Sequence, residues 1–303
     1  MTMQQEKPNC LCFDVGGSSI KYALIDSNLN FSNYGKVPTP YDGVETYLTC
    51  LEEIFESFKD QVDAISLSVP GIIDSQQGIC IDAGSLKFAN GLHLVEELEK
   101  RCQLPVYIMN DAKCAALAES QWGALKDCSN GVVIALGTGI GGALILNNEV
   151  YSGSHNAAGE LSYLSLNSHL DDTRNLQWGN IGNQKLLQMV SKVKNIKQVS
   201  GEQLFEWVEA GDQLVIQVLD HFTKEVARMI MNLQFVLDPE RFAIGGGISR
   251  QPKLLEYIQK NLAYFYAVYP HEVRKAEVVA CQYFNEANLL GAYSHYLRSF
   301  KTR

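Results

Sequence analysis

Short apolar runs and amphipathic segments alternate along the chain. In the first half, FSNYGKVP, AISLSV and VYIM have the length of strands, and continuous apolar runs such as the last two are typical of buried strands. Apolar residues recur at helical spacing from Val44 to Phe58, and a second helical segment covers Leu94 to Cys102. With a hairpin at the start of the chain, these runs predict the order strand, strand, strand, helix, strand, helix, strand.

The first hairpin occurs twice. Residues 10–26 contain an apolar strand, a turn at Gly16 and a second apolar strand. The stretch GVVIALGTGIGGALILNNEVY, residues 131–151, has the same order, and Gly16 falls opposite Gly137 when Asp14 is set against Ala135. Identity between the two stretches is slight, but the shared order predicts an internal duplication.

The second half also alternates helix and strand. A polar stretch with few helical signals covers residues 169–183, and a long amphipathic helix is predicted from Leu214 to Leu233, ending before Pro239. The remaining predicted elements are the strand and glycine loop RFAIGGGIS, a helix at 252–266, the strand AEVVAC and a final helix from about Glu286. The fold class is therefore α/β.

Length and composition predict two lobes. The chain has 303 residues, of which 46% are apolar and 19% charged, so it has enough apolar material for two cores. No low-complexity linker separates the halves, and we expect them to pack around a cleft. The predicted lobes are residues 1–113 plus 286–303, and residues 114–285.

Net charge, the start of the chain and the cysteine spacing indicate which binding partners, location and thiol state to expect. A net charge of −9 disfavours a general binder of nucleic acid or membrane surfaces, which needs clustered Lys and Arg. A polar start, MTMQQEKPNC, and the lack of an apolar run near 20 residues predict a cytoplasmic protein with no signal peptide or membrane span. The eight cysteines are scattered without a CxxC pair, so we expect free, buried thiols.

Three glycine turns each follow a short apolar strand. A single such turn is typical of a tight hairpin, but three of them favour loops whose backbone N–H groups hold a phosphate. GTGIGG lacks the GK[ST] of a P-loop, and no strand–GxGxxG–helix unit with a following acidic residue occurs. The turns contain Gly16 and Gly17, then Gly137 to Gly142, then Gly245 to Gly247.

Asp14 ends the first strand, directly before its glycine turn. A carboxylate in such a buried position needs a hydrogen bond or a cation. Mg²⁺ bound to nucleotide phosphates, directly or through water, would satisfy it. Lys21 either faces the phosphates or lies on the solvent side of its strand.

Asn110 and Asp111 lie between the strand VYIM and a helix. Either residue is typical of a helix N-cap, but together at the carboxyl end of a buried strand they also favour a ligand site. Asp111 could accept a proton from a substrate hydroxyl. Glu160 follows a loop of small residues and could accept hydrogen bonds from ligand hydroxyls, or be an ordinary loop acid.

Taken together, these motifs resemble the ROK family of sugar kinases and repressors, in the actin-like ATPase superfamily. The resemblance covers nearly the whole chain, and the motifs occur in the family's order and approximate spacing. They are DVGGSSIKYALID, SVPGIID, NDAKCAALAE, ALGTGIGGALI, AAGELSYL and IGGGIS. Repressor members carry an N-terminal helix-turn-helix domain, whereas about ten residues precede the first strand here, which favours the kinase branch.

The resemblance implies a fold of two ribonuclease-H-like lobes with mixed sheets, and ATP and a sugar in the cleft between them. Asp111 would deprotonate a sugar hydroxyl, usually the 6-OH. The phosphate and adenosine contacts would be Asp14, Gly16, Gly17, Ser18 and Lys21, then Gly137, Thr138, Gly139 and Gly141, then Gly245, Gly246, Gly247 and Ile248. The sugar contacts would be Asn110, Asp111 and Glu160, with Gly71, Ser85 and Asn90 where the alignment is loose. A homodimer is expected on the same grounds.

The chain departs from the family at its zinc site. The family commonly has a His three residues after that Glu and a CxCGxxGCxE loop, and the four side chains bind zinc. Here Tyr163 replaces the His and Lys185 replaces the final glutamate, a sugar contact in the family. The cysteine positions hold Leu176, Trp178 and Asn183, while Gly179 and Gly182 are retained, and Cys128, His155 and His169 are too few to replace them. We therefore predict no zinc, with Trp178 and Tyr163 supplying either packing or a surface for a sugar ring.

Relatives without zinc include bacterial β-glucoside kinases, whose glucosyl substrate carries a substituent at C1. Loss of the His and Glu near the anomeric end fits such a substrate. The alternatives are a glucokinase or another hexose or N-acetylmannosamine kinase. From other classes, the alternatives are a sugar sensor without catalysis, disfavoured by Asp111 and the glycine turns, and an actin-like polymer, disfavoured by the short chain.

Overall fold

The computed structural model describes residues 9–137, 139–165, 182–268, 272, 275, 277–284 and 286–302, with side chains up to residue 300. The chain divides into two compact units. The first consists of Met1–Gln121, Gly153–Ala157 and Glu286–Arg303, and the second of Trp122–Ser152 and Ala158–Asn285. The short segment Gly153–Ala157 thus belongs by its contacts to the first unit, although both flanking segments belong to the second.

The first unit contains a five-stranded mixed sheet in the order β3-β2-β1-β4-β7. Its strands are β1 Cys10–Val15, β2 Ser19–Ile25, β3 Phe31–Pro38, β4 Ala64–Val69 and β7 Val106–Asn110. A separate small hairpin is formed by β5 Ile72–Asp74 and β6 Ile79–Asp82. The helices are α1 Val44–Glu56, α2 Leu94–Cys102, α3 Asp111–Trp122, which ends at the first residue of the second unit, and α8 Ala287–Thr302.

The second unit contains a five-stranded mixed sheet in the order β10-β9-β8-β11-β12. Its strands are β8 Gly131–Leu136, β9 Ile140–Leu146, β10 Glu149–Val150, β11 Arg241–Gly245 and β12 Glu277–Ala280. The helices are α4 Asn183–Lys194, α5 Gly201–Glu209, α6 Gln213–Leu237 and α7 Pro252–Val268. Buried side chains of α4, α5, α6 and α7 form one apolar core with this sheet.

The duplication predicted from the sequence is confirmed strand by strand. β1 and β8 have the same length, as do β2 and β9, and a single offset along the chain superposes both pairs. In each sheet the two hairpin strands pair antiparallel and the next two neighbours pair parallel. The two sheets therefore share one topology, built around the same hairpin.

Most predicted elements are found, with two kinds of difference. The predicted helix from Val44 to Phe58 ends at Glu56 and is followed by a short 3₁₀ turn. The hairpin β5–β6 was not predicted, because its strands are only three and four residues long. The helices α4 and α5 were not predicted either, although each buries an apolar face with helical spacing. Of the polar stretch 169–183, residues 169–181 lie outside the described part of the chain.

Two further expectations concern the cysteines, predicted to be free and buried, and the lack of a membrane-spanning segment. All eight cysteines are free and all but Cys50 are buried, as predicted. Across the described residues, no helix combines the length and the apolar character needed to cross a bilayer.

Candidate functional site

In the first unit, the turn between β1 and β2 is anchored by polar contacts around Asp14. Asp14 is 8% exposed. Its carboxylate accepts hydrogen bonds from Lys21 Nζ at 3.1 Å and from Asn288 Nδ2 of α8 at 2.9 Å. Lys21 therefore lies on the same face of the hairpin as Asp14 and pairs with it, and its contact with phosphates stays a prediction.

The turn itself, Gly16 to Ser18, is held from outside through its carbonyl groups. Thr39 Oγ1 donates to the Gly16 carbonyl at 2.6 Å, and Tyr41 Oη donates to the Gly17 carbonyl at 2.5 Å. No hydrogen bond among the described residues uses the N–H groups of Gly17 and Ser18. These two amides are the donors that the sequence assigned to a phosphate.

Asn110 ends β7 and caps the helix that follows. Its Oδ1 accepts a hydrogen bond from the Lys113 backbone N–H at 3.0 Å, which is the usual geometry of an Asn at a helix N-cap. Its Nδ2 donates to the Gly71 carbonyl at 2.7 Å. The capping interpretation is thus correct for Asn110, and its second amide hydrogen and second lone pair remain possible ligand contacts.

Asp111 is the first residue of α3 and lies half-buried at the carboxyl end of β7. Its Oδ1 accepts from the Ala112 N–H at 2.7 Å. Burial, together with the negative charge of Asp14, raises the pKa of the Asp111 carboxyl to about 6, although the Ala112 N–H opposes the shift. A carboxyl with this pKa is suited to general base catalysis near neutral pH.

Asp14 and Asp111 lie at one edge of the first sheet. β1, β4 and β7 run parallel, with Asp14 opposite Ser68 and Ser68 opposite Met109. The carboxyl ends of parallel strands meet at the same edge, where ligands of α/β sheets bind. The predicted base and the predicted phosphate turn therefore share one side of one unit.

The weaker sugar candidates lie on the adjoining loops of the same unit. A Cβ built on Gly17 would lie 2.9 Å from Ser85 Oγ, so Ser85 lies against the phosphate turn. Ser85 and Asn90 are both exposed, and Asn90 Oδ1 accepts a hydrogen bond from the Ala83 N–H at 2.9 Å, which closes the loop from Ala83 to Asn90. Gly71 contacts Asn110, as described above.

In the second unit, two glycine loops meet under β8. Gly246 has a φ of +94°, and a Cβ there would lie 2.1 Å from the Leu136 carbonyl oxygen, so only glycine fits. Gly245 ends β11, and Gly247 and Ile248 begin a 3₁₀ turn. The predicted adenosine loop, Gly245 to Ile248, thus lies directly beside the end of β8.

The glycine turn between β8 and β9 is closed differently from its counterpart. The Gly137 N–H donates to the Gly139 carbonyl at 2.9 Å, whereas Gly16 donates to Ser19 at 3.0 Å. Gly141 lies in β9, and Thr138, another predicted ATP contact, lies outside the described residues. The two hairpins therefore share their strands but not their turns.

Asn183, at a cysteine position of the family's zinc loop, is tied to this turn. Its backbone N–H donates to the Gly137 carbonyl at 2.8 Å, and its Nδ2 donates to the Leu136 carbonyl at 2.5 Å. These bonds fix the start of α4 at the end of β8. Lys185, two residues later in the first turn of α4, is exposed.

Glu160 and Tyr163 flank and end a short 3₁₀ turn of the second unit that packs on β9: Glu160 is the residue before it and Tyr163 its last residue. Glu160 is half-buried and precedes the turn Leu161–Tyr163. A Cβ on Gly142 would lie 2.3 Å from Leu161 Cδ1, which shows how closely this turn approaches the hairpin. Tyr163 is 63% exposed.

The prediction that no zinc binds depends on residues of which the structure describes only some. Leu176, Trp178, Gly179 and His169 lie outside the described residues. Among the residues that the structure does describe, no group of three or more His, Cys, Asp or Glu side chains could hold a metal ion. The absence of zinc stays a prediction.

Sequence reasoning missed four residues that shape the first unit's edge. Thr39 and Tyr41 follow β3 in the stretch VPTPY, and Asn288 lies near the C-terminus, 274 residues from Asp14. Lys113, in the quoted motif NDAKC, is 2% exposed and donates to the Asn156 carbonyl at 2.8 Å. The prolines around Thr39 were the available local signal, and Asn288 had none.

Comparisons with known proteins agree with this architecture. A model of the ROK family matches residues 10–298. The β-glucoside kinase of Listeria innocua is 26% identical over 309 residues, covering 94% of this chain and 96% of that protein. The N-acetyl-D-glucosamine kinase of Haemophilus influenzae is 27% identical over 284 residues, covering 88% and 90%.

Among solved structures, a ROK family protein from Streptococcus pneumoniae TIGR4 in complex with sucrose matches with a TM-score of 0.87. It is 25% identical, and the match covers 97% of this chain and 100% of that chain. The predicted fold class, two mixed sheets flanked by helices, is confirmed.

Proposed function

Because the chain belongs to the ROK family, as its motifs predicted, we propose that it is an ATP-dependent sugar kinase. The acceptor is the 6-OH of a glucosyl unit, with a β-glucoside as the preferred substrate. The observation that carries the proposal is Asp111, a carboxyl with a pKa raised to about 6 at the sheet edge that also carries the Asp14–Ser18 turn.

In this mechanism Asp111 accepts the proton of the sugar hydroxyl. The hydroxyl oxygen attacks the γ-phosphorus of ATP and forms the new O–P bond, while the bond from that phosphorus to the β–γ bridging oxygen breaks. ADP leaves with the bonding electrons. The roles of Asp111 are to hold the hydroxyl in line and to take up its proton as negative charge develops on the oxygen.

The phosphates of ATP are assigned to main-chain N–H groups. In the first unit these are the amides of Gly17 and Ser18, which no described residue uses. In the second unit they belong to the turn that begins at Gly137, with the loop Gly245–Ile248 assigned to the adenosine. Backbone donors allow a chain with a net charge of −9 to hold a polyanion locally.

Magnesium is the cation expected with ATP, and Asp14 fits it. Mg²⁺ in nucleotide sites is commonly bound through one or two carboxylates, with phosphates and water completing its shell. Asp14 accepts one hydrogen bond at each carboxylate oxygen, which leaves lone pairs for a magnesium-bound water. When bound, the ion would neutralise phosphate charge.

The choice of a β-glucoside rests on relatives and on two substitutions. The Listeria innocua relative is a β-glucoside kinase. The pneumococcal relative was solved with sucrose, whose glucosyl unit is α-linked, so that structure supports room for a substituent at C1 but not the β configuration. Tyr163 and Lys185 replace the His and Glu that the zinc-bearing members place near the anomeric end, and both are exposed. N-acetylglucosamine is a further candidate because of the Haemophilus influenzae relative.

A phosphotransfer assay with ATP and magnesium tests the proposal over glucose, cellobiose, gentiobiose, fructose, N-acetylglucosamine and N-acetylmannosamine. We expect the highest kcat/KM for cellobiose or gentiobiose. Activity on free monosaccharides only would reject the β-glucoside assignment while retaining a hexose kinase. No phosphorylation of any sugar would favour the sensor class.

The base assignment is tested by Asp111→Asn. The substitution removes the proton acceptor at nearly constant volume, and kcat should fall by roughly 10²- to 10⁴-fold. Asp60→Asn is the matched control, because Asp60 is exposed on the 3₁₀ turn after α1. Equal turnover in wild type and Asp111→Asn would refute this mechanism.

A further inference from the structure

The segment that follows β3 holds the carbonyl groups of the predicted phosphate turn, Gly16 to Ser18. Thr39 Oγ1 bonds the Gly16 carbonyl and Tyr41 Oη bonds the Gly17 carbonyl. The Thr39 N–H also donates to the Ser18 carbonyl at 3.3 Å. Three consecutive carbonyl groups of the turn therefore have donors from one three-residue segment.

This arrangement determines where the turn's N–H groups point. In a trans peptide the C=O of one residue and the N–H of the next point in opposite directions. The peptide bonds here are trans, so holding the Gly16 carbonyl directs the Gly17 N–H away from Thr39. Holding the Gly17 carbonyl likewise directs the Ser18 N–H away from Tyr41.

The segment is suited to this task by its sequence. Thr39 lies between Pro38 and Pro40, and both the proline ring and the position before a proline restrict the backbone. Thr39 is 8% exposed, while Tyr41 is 53% exposed and packs its ring edge-on to Phe88, with centroids 6.0 Å apart. A stiff segment thus presents two hydroxyl groups at a fixed spacing.

We propose that Thr39 and Tyr41 are positioning residues that orient the Gly17 and Ser18 amides toward the phosphates of ATP. They act through the turn and do not contact the nucleotide themselves. The inference rests on the proposed function, because it takes the Gly16–Ser18 turn as a phosphate site. It adds two residues that no motif of the sequence assigned to ATP binding.

The test compares hydroxyl-deleting variants with conservative ones. Thr39→Val and Tyr41→Phe each remove one donor and retain most of the side-chain volume. Loss of one hydrogen bond that holds an amide in place should weaken ATP binding by about five- to tenfold. The measurements are the Kd for ATP by calorimetry without sugar, and KM for ATP and for sugar in turnover.

We expect each variant to raise the Kd and KM for ATP while KM for the sugar stays within about twofold of wild type. Thr39→Ser, which retains the donor, should recover most of the affinity that Thr39→Val loses. Tyr34→Phe and Thr46→Val are matched controls at exposed positions. If Thr39 and Tyr41 had a purely structural role, the variants would lower the melting temperature and would not raise the KM for ATP more than the KM for the sugar.

An unchanged Kd for ATP in both Thr39→Val and Tyr41→Phe would overturn the inference. Tyr41 is an exposed residue, so Tyr41→Phe is expected to fold and keeps the test decisive even where Thr39→Val does not. A wild type that binds ATP but phosphorylates no sugar would overturn the proposed function alone. A wild type that binds no ATP would overturn both.

Discussion

Asp111 shows how position alone changes the chemistry of an ordinary side chain. An exposed aspartate has a pKa near 3.9 and is a weak base at neutral pH. At the first residue of α3, burial and the nearby Asp14 raise the pKa of this carboxyl to about 6. Asp14 accepts hydrogen bonds from Lys21 and Asn288. The two carboxylates therefore have different surroundings, in line with the roles proposed above: a magnesium contact for Asp14 and a base for Asp111.

This raised pKa predicts the pH dependence of turnover. The proposed base must be deprotonated, so kcat/KM for the sugar should fall about tenfold for each pH unit below about 6 and level off above it. A pH profile of kcat/KM for the sugar measures the midpoint, because this ratio reports the base before the sugar binds. A midpoint near 4 would contradict a raised pKa of Asp111 as the origin of the profile.

Asn110, directly before Asp111 in the chain, has a structural role instead of a candidate catalytic one. Its side chain caps α3 and bonds Gly71, so the same strand end supplies a structural residue and a candidate base side by side. A helix cap contributes about 1 kcal/mol to stability. The cap also fixes the backbone from which the Asp111 side chain projects.

At the scale of elements, α8 holds the first unit's edge together from the far end of the chain. Asn288 bonds Asp14, and the Ala292 carbonyl accepts a hydrogen bond from Ser66 Oγ of β4 at 2.7 Å. Between them, Gly291 lies so close to α3 that a Cβ there would be 1.8 Å from the Cys114 carbonyl oxygen. The two helices meet at backbone contact.

Gly291→Ala should therefore separate α8 from α3. The added methyl group would clash with backbone atoms of Cys114, and no side-chain rotation can relieve such a clash. The free energy of unfolding should therefore fall by about 2 kcal/mol or more. Gly201→Ala is the matched control: it also lies in a helix, but its Cβ would meet only ordinary contact with Ile248 at 3.5 Å. Urea unfolding of both variants measures the difference, and equal midpoints would contradict close packing at Gly291.

The hairpins β1–β2 and β8–β9, one in each unit, have similar strands but differently supported turns. Their strands have matching lengths and pairing, yet the first turn is held by Thr39 and Tyr41, and the second by Asn183 of α4. The two hairpins thus share their strands, whereas each turn has its own support.

At the scale of the whole molecule, His295 of α8 links folding to pH. Its ring packs against Tyr107 with centroids 6.1 Å apart. Burial lowers the pKa of His295 to about 4, and the positive charge of Arg298 contributes to the shift. In the unfolded chain the pKa returns to about 6.5.

The sign of the effect follows from these two pKa values. Between about pH 6.5 and pH 4 the unfolded state binds a proton that the native state does not, so stability falls as the pH is lowered through this range. At most about 2 kcal/mol is lost between pH 7 and pH 5. At pH 7 and above, the contribution is fully present.

Urea unfolding at pH 7 and pH 5 tests this assignment. His295→Gln should lose less stability than wild type between the two pH values, because its side chain does not titrate. His93→Gln, which removes an exposed histidine beside Glu96, should behave like wild type. The same pH response in all three proteins would exclude His295 as the group responsible.

Most strands, most helices and the duplication followed from the sequence by itself, as did the glycine turns and the candidate base, whereas the short hairpin β5–β6 did not. These features depend on local periodicity and on residues that are neighbours along the chain, and such signals survive without knowledge of the fold. The helices α4 and α5 carry the same periodicity in their buried apolar faces, so they too could have been predicted from the sequence.

Only the tertiary structure decided which distant groups meet. It brought Asn288 to Asp14, placed Thr39 and Tyr41 under the turn at Gly16, and buried the Asp111 carboxyl enough to raise its pKa. A pKa shift and a hydrogen bond across the chain depend on burial and on distances between side chains far apart in sequence. No local pattern encodes those quantities, because they exist only once the sheet and α8 have packed.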